Sequence, residues 1–313
     1  MNRSEIVSVL ASAGLRPQHQ LGQHFMIDQN ILRLIADAGE LSPADVVLEV
    51  GPGVGNLTRI LSGRAGAVLA VDIDVKLLAA ASAHAGAIPN VQWLAADVLA
   101  GKHQVNADVQ VALTKLITEH RASEYKLVSN LPYNIAGPLV AELLVDTWRS
   151  VNGVVAAGTD DGRTSEAPAL PPACSMLAFT VQYEMAQRMR ATAGTDNYGP
   201  LGVIIQLLAK VEILREIPRQ CFWPPPKVKS ALVRVTADVP RMRQLNNVPQ
   251  LQALISGIFA YRRQRLGNAV KHYLEAAGLA GTPDLVAAAG LDLSLRPEVL
   301  TPEDFVRMAQ ALA

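Results

Sequence analysis

The sequence predicts an α/β protein with a mainly parallel sheet, followed by a small all-helical domain. Short apolar runs alternate with helix-like segments over the first two hundred residues, as in repeated βαβ units. These runs are continuously apolar, which is typical of parallel strands covered on both faces. Beyond residue 250 the pattern is helical throughout, and a chain of 313 residues, of which 50% are hydrophobic, is long enough for two domains.

The predicted strands are apolar or β-branched runs bounded by turn-forming residues. They are VVLEV (46–50), AVLAVDI (67–73), VQWLAA (91–96), YKLVSNL (125–131), SMLAFTVQ (175–182), VEILREI (211–217) and SALVRV (230–235). Helical spacing is found in the segments LTRILSG, VKLLAAASAHA and GPLVAELLVDTW, which flank them. We therefore predict one domain over residues 1–240 and a helical domain over residues 241–313.

A stretch rich in Gly, Ala, Pro, Ser and Asp interrupts the first domain at about residues 148–173. Such a composition buries little apolar surface, and the stretch is longer than most connections in compact domains. We therefore predict a mobile surface insertion there.

Composition argues against several classes of protein. There is no run of 18 or more apolar residues, and the N-terminal segment carries Glu5, so we predict neither a membrane span nor a signal peptide. A cytoplasmic location is the expectation that follows. Cys174 and Cys221 have neither CxxC spacing nor nearby histidines, so no metal site and no disulfide framework are predicted.

The balanced net charge hides a basic region. Residues 207–271 contain 12 Lys and Arg against 3 Asp and Glu, while the whole chain has 28 of each class. Such asymmetry favours a surface that faces phosphate groups. A solvated basic face is the alternative that charge alone leaves open.

The first motif with chemical meaning is LEVGPGVGNLT, residues 48–58. A strand ends at Gly51-Pro52-Gly53-Val54-Gly55 and a helix follows, so a ligand can approach the backbone closely at the carboxyl end of the strand. A tight turn that needs glycine only for packing has the same pattern. Asn56 stands where the dinucleotide fingerprint requires glycine, which disfavours a nicotinamide cofactor without excluding it.

Two acidic residues lie at the ends of the next two strands. Asp72 comes 21 residues after Gly51, at a position where a carboxylate accepts hydrogen bonds from ribose hydroxyls. Asp97 follows the third strand on the same rim and can accept from an adenine amine, although a single Asp there also suits a cap. Together with the glycine loop, the two carboxylates favour an adenosine-containing ligand.

The tetrad Asn130-Leu131-Pro132-Tyr133 follows the fourth strand. An exocyclic adenine amine is hard to methylate because its lone pair is delocalised into the ring. The Asn130 side-chain oxygen and the Leu131 carbonyl can accept the two N–H groups of the amine and direct its lone pair toward a methyl donor. Pro132 would fix this backbone and Tyr133 would stack on a flipped base. An Asn-capped turn with a packed tyrosine is the alternative.

Five segments give the chain a resemblance to a known family. They are LGQHFMIDQNI (21–31), LEVGPGVGNLT (48–58), VSNLPYNIAGP (128–138), FWPPPKVKSALVRV (222–235) and FAYRRQRLGNAV (259–270). In this order they resemble the motifs of the small-subunit rRNA adenine N(6),N(6)-dimethyltransferases of the KsgA/RsmA type, over nearly the whole chain. The resemblance implies a Rossmann-like S-adenosylmethionine-dependent methyltransferase sheet with a small C-terminal all-helical domain that binds RNA.

The resemblance also implies an activity and its partners. The activity is dimethylation of two adjacent adenosines near the 3′ end of small-subunit rRNA, with S-adenosyl-L-methionine as donor and S-adenosyl-L-homocysteine as product. The implied partner is small-subunit rRNA within an assembling 30S-type particle, bound by a monomer without a membrane partner.

Carried over residue by residue, the resemblance implies three sets of site residues. The cofactor contacts are Gln23, His24, Met26, Gly51, Gly53, Asp72, Ile73, Asp97, Val98 and Asn130. The residues at the target base are Asn130, Leu131, Pro132, Tyr133 and Phe222. The RNA contacts are Lys227, Lys229, Arg262, Arg263, Arg265 and Lys271.

Two of these assignments have an alternative. Phe222 is implied to sandwich the adenine opposite Tyr133, whereas a Phe before three prolines is by itself more typical of packing at the start of an extended segment. Arg262 and Arg265 are expected on one face of a helix at i, i+3 spacing, where they would straddle a phosphate path. A solvated helix face is the alternative for these arginines.

Other functions stay open at this point. A large-subunit rRNA methyltransferase of the macrolide-resistance type shares the core motifs, although FWPPPKVKS and the RRQR segment match the small-subunit family better. A noncatalytic RNA-binding assembly or transcription factor on the same fold is the alternative from another class. A nicotinamide oxidoreductase is disfavoured by position 56.

Overall fold

The computed structural model describes residues 2–18, 23–101, 104–155 and 170–312. The chain forms two compact units. The first, here called the sheet unit, comprises Met1–Ala186 and Glu212–Ala237, and the second, the helical unit, comprises Gln187–Val211 and Asp238–Ala313. The second unit resumes close to the predicted boundary at residue 240. It also takes Gln187–Val211, which the sequence prediction had placed in the first domain.

The described residues contain a seven-stranded sheet and a separate two-stranded ladder. The strands are β1 (Phe25–Met26), β2 (Val46–Val50), β3 (Ala67–Asp72), β4 (Val91–Ala95), β5 (Tyr125–Asn130), β6 (Cys174–Gln182), β7 (Ala209–Ile217), β8 (Phe222–Trp223) and β9 (Ser230–Ala237). The order in the large sheet is β4-β3-β2-β5-β6-β9-β7, and β1 pairs with β8. Neighbours from β4 to β6 are parallel, whereas β9 is antiparallel to β6. All seven predicted strands are confirmed, with ends that differ by at most two residues.

The helices of the two units follow from local capping and apolar spacing. Those that begin in the sheet unit are α1 (Arg3–Ser12), α2 (Gln29–Ala38), α3 (Asn56–Ser62), α4 (Val75–Ala85), α5 (Ala107–His120), α6 (Ala136–Asn152) and α7 (Tyr183–Arg190). Those of the helical unit are α8 (Pro200–Leu208), α9 (Val239–Met242), α10 (Val248–Ala260), α11 (Leu266–Ala277), α12 (Pro283–Ala288) and α13 (Pro302–Ala311). No helix in the described ranges is both long and apolar enough to cross a membrane.

The predicted insertion begins later than the sequence suggested. Residues 148–152 complete α6, and Gly153 ends the helix with a positive φ of 66°. Helix α6 therefore extends past the start of the insertion that was predicted from composition. Residues 156–169 lie outside the described residues, so the mobility of the insertion stays a prediction.

One face of the sheet is covered by α2 and α3. Ile31, Ile35 and Leu61 from these helices share a buried cluster with Val47 on β2 and with neighbouring strand residues. Each fully buried aliphatic side chain of this kind contributes about 1.5–3 kcal/mol. The cluster makes the sheet a rigid platform, and the parallel order of its strands places the carboxyl ends of β2, β3 and β5 at one edge.

Candidate active site

A pocket lies in the sheet unit at the carboxyl ends of β2, β3 and β5. Most of the predicted site residues line it. They are Gln23, His24, Met26, Gly51, Gly53, Asp72, Ile73, Asp97, Val98, Asn130, Leu131, Pro132 and Tyr133. The structure therefore brings the glycine loop, both carboxylates and the tetrad to one cavity, as expected for the carboxyl edge of a parallel sheet.

The glycine loop packs against two other parts of the pocket. Gly51 has a φ of 70° and Gly53 a φ of 59°, both in the left-handed region. A Cβ on Gly51 would lie 3.2 Å from the Pro132 ring, and one on Gly53 would lie 3.0 Å from the Phe25 ring. Glycine is needed at both positions for conformation and for space.

Asp72 and Asp97 lie on the pocket rim. Asp72 accepts the N–H of Asp74 at 2.9 Å, and Asp97 accepts the N–H of Leu99 at 3.0 Å. The turn cap that was the alternative for Asp97 does form, and the same side chain also lines the pocket. Burial raises the pKa of Asp72 to about 6, with smaller opposing effects from backbone hydrogen bonds. Carboxylates have capacity for further donors, so both residues can still bind a ligand.

Glu49 is a pocket residue that sequence reasoning missed. It lies within β2, is 1% exposed and faces the pocket. Its Oε2 atom has no hydrogen-bond partner among the described residues. Burial raises the pKa of Glu49 to about 8, with an opposing effect from the Thr58 hydroxyl and a further increase from Asp72. The available signal was a single acidic residue in the otherwise apolar run VVLEV.

These groups fit an adenosine cofactor that carries hydroxyl and amine donors. Asp72 and Asp97 are acceptors on the rim, and Glu49 Oε2 is a buried oxygen without a hydrogen-bond partner among the described residues. An unmade hydrogen bond at a buried acceptor costs about 1–3 kcal/mol, which a donor from the ligand would remove. The two carboxylates Asp72 and Asp97 at one cavity favour a ligand with positive charge over one with several phosphates. S-adenosylmethionine has these properties.

Asn130 ends β5 and is held by two partners. Its Nδ2 atom donates to the His24 carbonyl at 3.0 Å. Its Oδ1 atom accepts a hydrogen bond from the Thr180 hydroxyl on β6, whose Cα is paired with that of Asn130 in the parallel register. Sequence reasoning missed Thr180 because the register of two strands about fifty residues apart cannot be read from either strand alone.

Tyr133 is fixed at both its hydroxyl and its ring. The hydroxyl and Ser230 Oγ are 2.6 Å apart, and the ring stacks on His24 with centroids 5.5 Å apart. Burial raises the pKa of Tyr133 to about 12, so the phenol stays protonated at neutral pH. His24 Nδ1 lies 2.7 Å from the Pro224 carbonyl, and because a carbonyl can only accept, Nδ1 is the protonated nitrogen.

Phe222 is the predicted site residue that the structure does not bring to the pocket. Its side chain is 2% exposed and belongs to a hydrophobic cluster with Met26 and Leu32. In the β1–β8 ladder its Cα is paired with that of Met26, and alternation along the strand directs Trp223 the other way, where its ring stacks on Phe25. The role of Phe222 in this structure is packing, in agreement with the reading of the residues alone and not with the implied base sandwich.

The predicted RNA-contacting arginines do not lie on one helix. Helix α10 ends before Arg262 and Arg263, which form a turn, and Arg265 caps the start of α11. The prediction that Arg262 and Arg265 share a helix face is therefore wrong. The reason is tertiary, because the N–H of Leu266 bonds to the carbonyl of Leu295 at 2.7 Å instead of continuing α10. All three arginines are exposed and make no ion pair within the described part of the chain.

The predicted lysine contacts are exposed and partly paired. Lys229 lies 3.0 Å from Glu216 in the sheet unit, and Lys271 lies 3.9 Å from Glu275 on α11. Lys227 is exposed in the segment after β8. Exposed ion pairs are weak, typically ~0.2–1 kcal/mol, so a polyanion can displace them.

Comparison with known proteins gives a consistent result. The family model for ribosomal RNA adenine dimethylase matches residues 14–308. The ribosomal RNA small subunit methyltransferase A of Moorella thermoacetica is 32% identical, with 98% of this chain and 96% of that protein covered. The protein of the same name from Phenylobacterium zucineum is 34% identical, with 96% of this chain and 90% of that protein covered.

Solved structures share the fold. A dimethyladenosine transferase from Plasmodium falciparum has a TM-score of 0.64 at 21% identity, covering 91% of this chain and 96% of that chain. The 23S rRNA methyltransferase ErmE has a TM-score of 0.58 at 22% identity, covering 92% of this chain and 99% of that chain. These likenesses confirm the predicted Rossmann-like methyltransferase sheet. With a family model that spans almost the whole sequence and full-length relatives above 30% identity, the chain belongs to the ribosomal RNA adenine dimethylase family.

Proposed function

We propose that this protein dimethylates the exocyclic amines of two adjacent adenosines near the 3′ end of small-subunit rRNA, with S-adenosylmethionine as methyl donor. The observation that carries the proposal is that the Asn130 amide and the carboxyl groups of Asp72 and Asp97 line one pocket. The names of the full-length relatives favour the small subunit over the large subunit as the source of the substrate.

The carboxylate end of the pocket holds the donor. Asp72 accepts hydrogen bonds from the ribose hydroxyls and Asp97 accepts from the adenine amine, while Gly51 and Gly53 let the ligand approach the backbone. The donor itself supplies an electrophilic methyl group on a positively charged sulfur. The burial of Glu49 places a further carboxyl group in this cavity, and a bound ligand with positive charge would favour its ionised form.

The tetrad end of the pocket holds the target base. Asn130 Oδ1 and the Leu131 carbonyl accept the two N–H groups of the amine, and Tyr133 stacks on the flipped ring. The two acceptors orient the lone pair of the nitrogen toward the methyl group. A proton of the amine becomes acidic only as the nitrogen gains positive charge, so no strong general base is required.

The basic residues hold the rest of the RNA. Arg262, Arg263 and Arg265 are exposed cations of the helical unit, and Lys227 and Lys229 are exposed in the sheet unit. We expect them to contact phosphates, so that RNA affinity falls as salt concentration rises. The substrate we propose is rRNA within an assembling 30S-type particle, bound by a monomer in the cytoplasm.

The test uses Asn130→Ala, with Asn134→Ala as a matched control. Asn134 also lines the pocket, but it is exposed and lies outside the tetrad. Transfer of tritiated methyl groups is measured on immature small subunits and on large-subunit RNA. We expect Asn130→Ala to reduce turnover by about 100-fold or more, the size typical of a lost transition-state hydrogen bond. Cofactor binding measured by calorimetry should stay detectable, and Asn134→Ala should stay within about threefold of the wild type.

Three other results would contradict the proposal. Near-normal turnover in Asn130→Ala would remove the amine-binding role of the amide. Preference for large-subunit RNA would favour the macrolide-resistance type of activity. Cofactor binding without methyl transfer to either RNA would favour a noncatalytic RNA-binding protein.

A further inference from the structure

Thr180 is a fully buried polar residue in the sheet, directly beside the proposed amine acceptor. It is 0% exposed and lies in the otherwise apolar segment LAFTV of β6. The parallel register pairs its Cα with that of Asn130, and its hydroxyl bonds to Asn130 Oδ1. A hydroxyl at this depth requires a partner, and Asn130 Oδ1 is the partner that the structure provides.

The second contact of Asn130 decides which way its amide faces. The His24 carbonyl, 3.0 Å from Nδ2, can only accept, so the nitrogen of the amide must point toward it. A flipped amide would place Oδ1 against that carbonyl, oxygen against oxygen. The oxygen of the amide is therefore directed to Thr180, and the Thr180 hydroxyl must be the donor.

This arrangement leaves Asn130 Oδ1 with capacity for the substrate. An amide oxygen has two lone pairs, and Thr180 uses one of them. The other is available to an N–H group in the pocket that Asn130 lines. The Asn130 amide donates to the His24 carbonyl and accepts from the Thr180 hydroxyl. Together these two hydrogen bonds fix the side-chain torsion angle of Asn130, which sets the direction of the free lone pair.

We propose that Thr180 is a positioning residue for methyl transfer, which holds the Asn130 amide in the orientation that accepts the target amine. The inference rests on the proposed role of Asn130 in the reaction. Thr180 acts through Asn130 and does not itself touch the substrate. Its effect is on turnover, because catalysis depends more steeply than binding on small errors of orientation.

The informative substitution is Thr180→Val. Valine has nearly the same shape and the same preference for strands, so it removes the hydroxyl without opening a cavity. We expect kcat to fall by roughly 10- to 100-fold, while the cofactor Kd and the KM for RNA stay within about threefold of the wild type. Thr180→Ser retains the hydroxyl and should restore most of the lost kcat.

A matched control separates positioning from simple structural support. Thr147 is also buried, and its hydroxyl donates to the Leu143 carbonyl and accepts from the N–H of Cys174. It does not line the pocket. Thr147→Val should lower Tm without changing kcat per folded molecule, whereas Thr180→Val should lower kcat beyond any change in Tm.

The outcomes distinguish this inference from the proposed function. A kcat loss in Thr180→Val that Thr180→Ser rescues supports the inference. Wild-type kcat in Thr180→Val, or a loss no larger than the loss of folded protein, overturns it while Asn130→Ala remains inactive. If Asn130→Ala is itself active, the proposed role of Asn130 fails first and the inference fails with it.

Discussion

The two ends of the pocket differ in how their polar groups are satisfied. At the tetrad end, Asn130 has partners for both atoms of its amide, and the Tyr133 hydroxyl is paired with Ser230. At the carboxylate end, Glu49 Oε2 has no hydrogen-bond partner in the part of the chain that the structure describes. Both ends are largely buried, so the difference does not come from access to water.

We infer from this difference that the two ends of the pocket have different functions. Groups that are already satisfied and oriented need no reorganisation during reaction, which is what the stabilisation of a developing charge requires. A buried group without a partner destabilises the empty protein and gains a partner when a ligand binds. We therefore propose that the tetrad end carries out the chemistry and that the Glu49 end binds the ligand.

Among the substitutions that test this difference, Glu49→Gln is expected to have the largest effect, which is an increase in the free energy of unfolding. The pKa of Glu49 is raised from 4.5 to about 8, so the folded protein retains a proton that the unfolded chain releases between those pH values. Stability therefore falls as pH rises through this window. Glutamine keeps the neutral form, and we expect it to raise the free energy of unfolding at pH 8 by on the order of 3 kcal/mol. Urea unfolding at pH 5, 7 and 8 measures the effect.

The same variant should bind the cofactor less well. Glutamine cannot ionise, so it cannot provide the negative charge that a positively charged donor would favour on Glu49 when it binds. We expect at least a tenfold rise in the cofactor Kd by calorimetry, since hydrogen bonds to charged groups contribute about 1.5–3 kcal/mol. If Glu49→Gln were less stable than the wild type and bound the cofactor with the same Kd, the proposed difference in function between the two ends of the pocket would be refuted.

A smaller effect is expected from Asp72, which also belongs to the ligand end. Burial raises the pKa of Asp72 from 3.8 to about 6, so the carboxylate that we propose as the acceptor for the ribose hydroxyls becomes protonated as pH falls below about 6. Cofactor affinity should then fall by up to about tenfold per pH unit. Calorimetry from pH 5 to pH 8 checks this against Asp72→Asn, which should bind weakly and lack this component of the pH dependence.

The smallest effect is expected at the satisfied end, in Tyr133→Phe. The change removes the Tyr133 hydroxyl, so the buried Ser230 hydroxyl loses its hydrogen bond to that group. The free energy of unfolding should therefore fall by about 1 kcal/mol. The ring remains and turnover should stay within about threefold. Chemical denaturation and a methyl-transfer assay measure the two quantities. A gain in stability here would contradict the view that this end is already satisfied.

The location of the site could be predicted because of the geometry of parallel sheets. Gly51, Asp72, Asp97 and Asn130 each lie at or just beyond the end of a strand that is recognisable from its apolar run, and the carboxyl ends of such strands meet at one edge. Local sequence is sufficient for this conclusion, since only the type and direction of each strand matter.

The remaining details depend on contacts between distant segments. The orientation of Asn130 depends on its register with Thr180, and the burial of Phe222 depends on its pairing with Met26. The break between α10 and α11 likewise depends on a backbone bond from Leu266 to Leu295. Helical spacing is preserved across this break, so periodicity alone predicted one helix where the structure has two.

The short β1–β8 ladder has a consequence for biosynthesis. It pairs Phe25 with Trp223 and Met26 with Phe222, and His24 meets the carbonyl of Pro224 just beyond it. Phe25 and Met26 form one wall of the pocket near the start of the chain. This wall can therefore be completed only after some two hundred further residues have left the ribosome. A nascent chain cut before this point has the glycine loop and the tetrad but not this wall, so the competence to modify RNA arises late in translation.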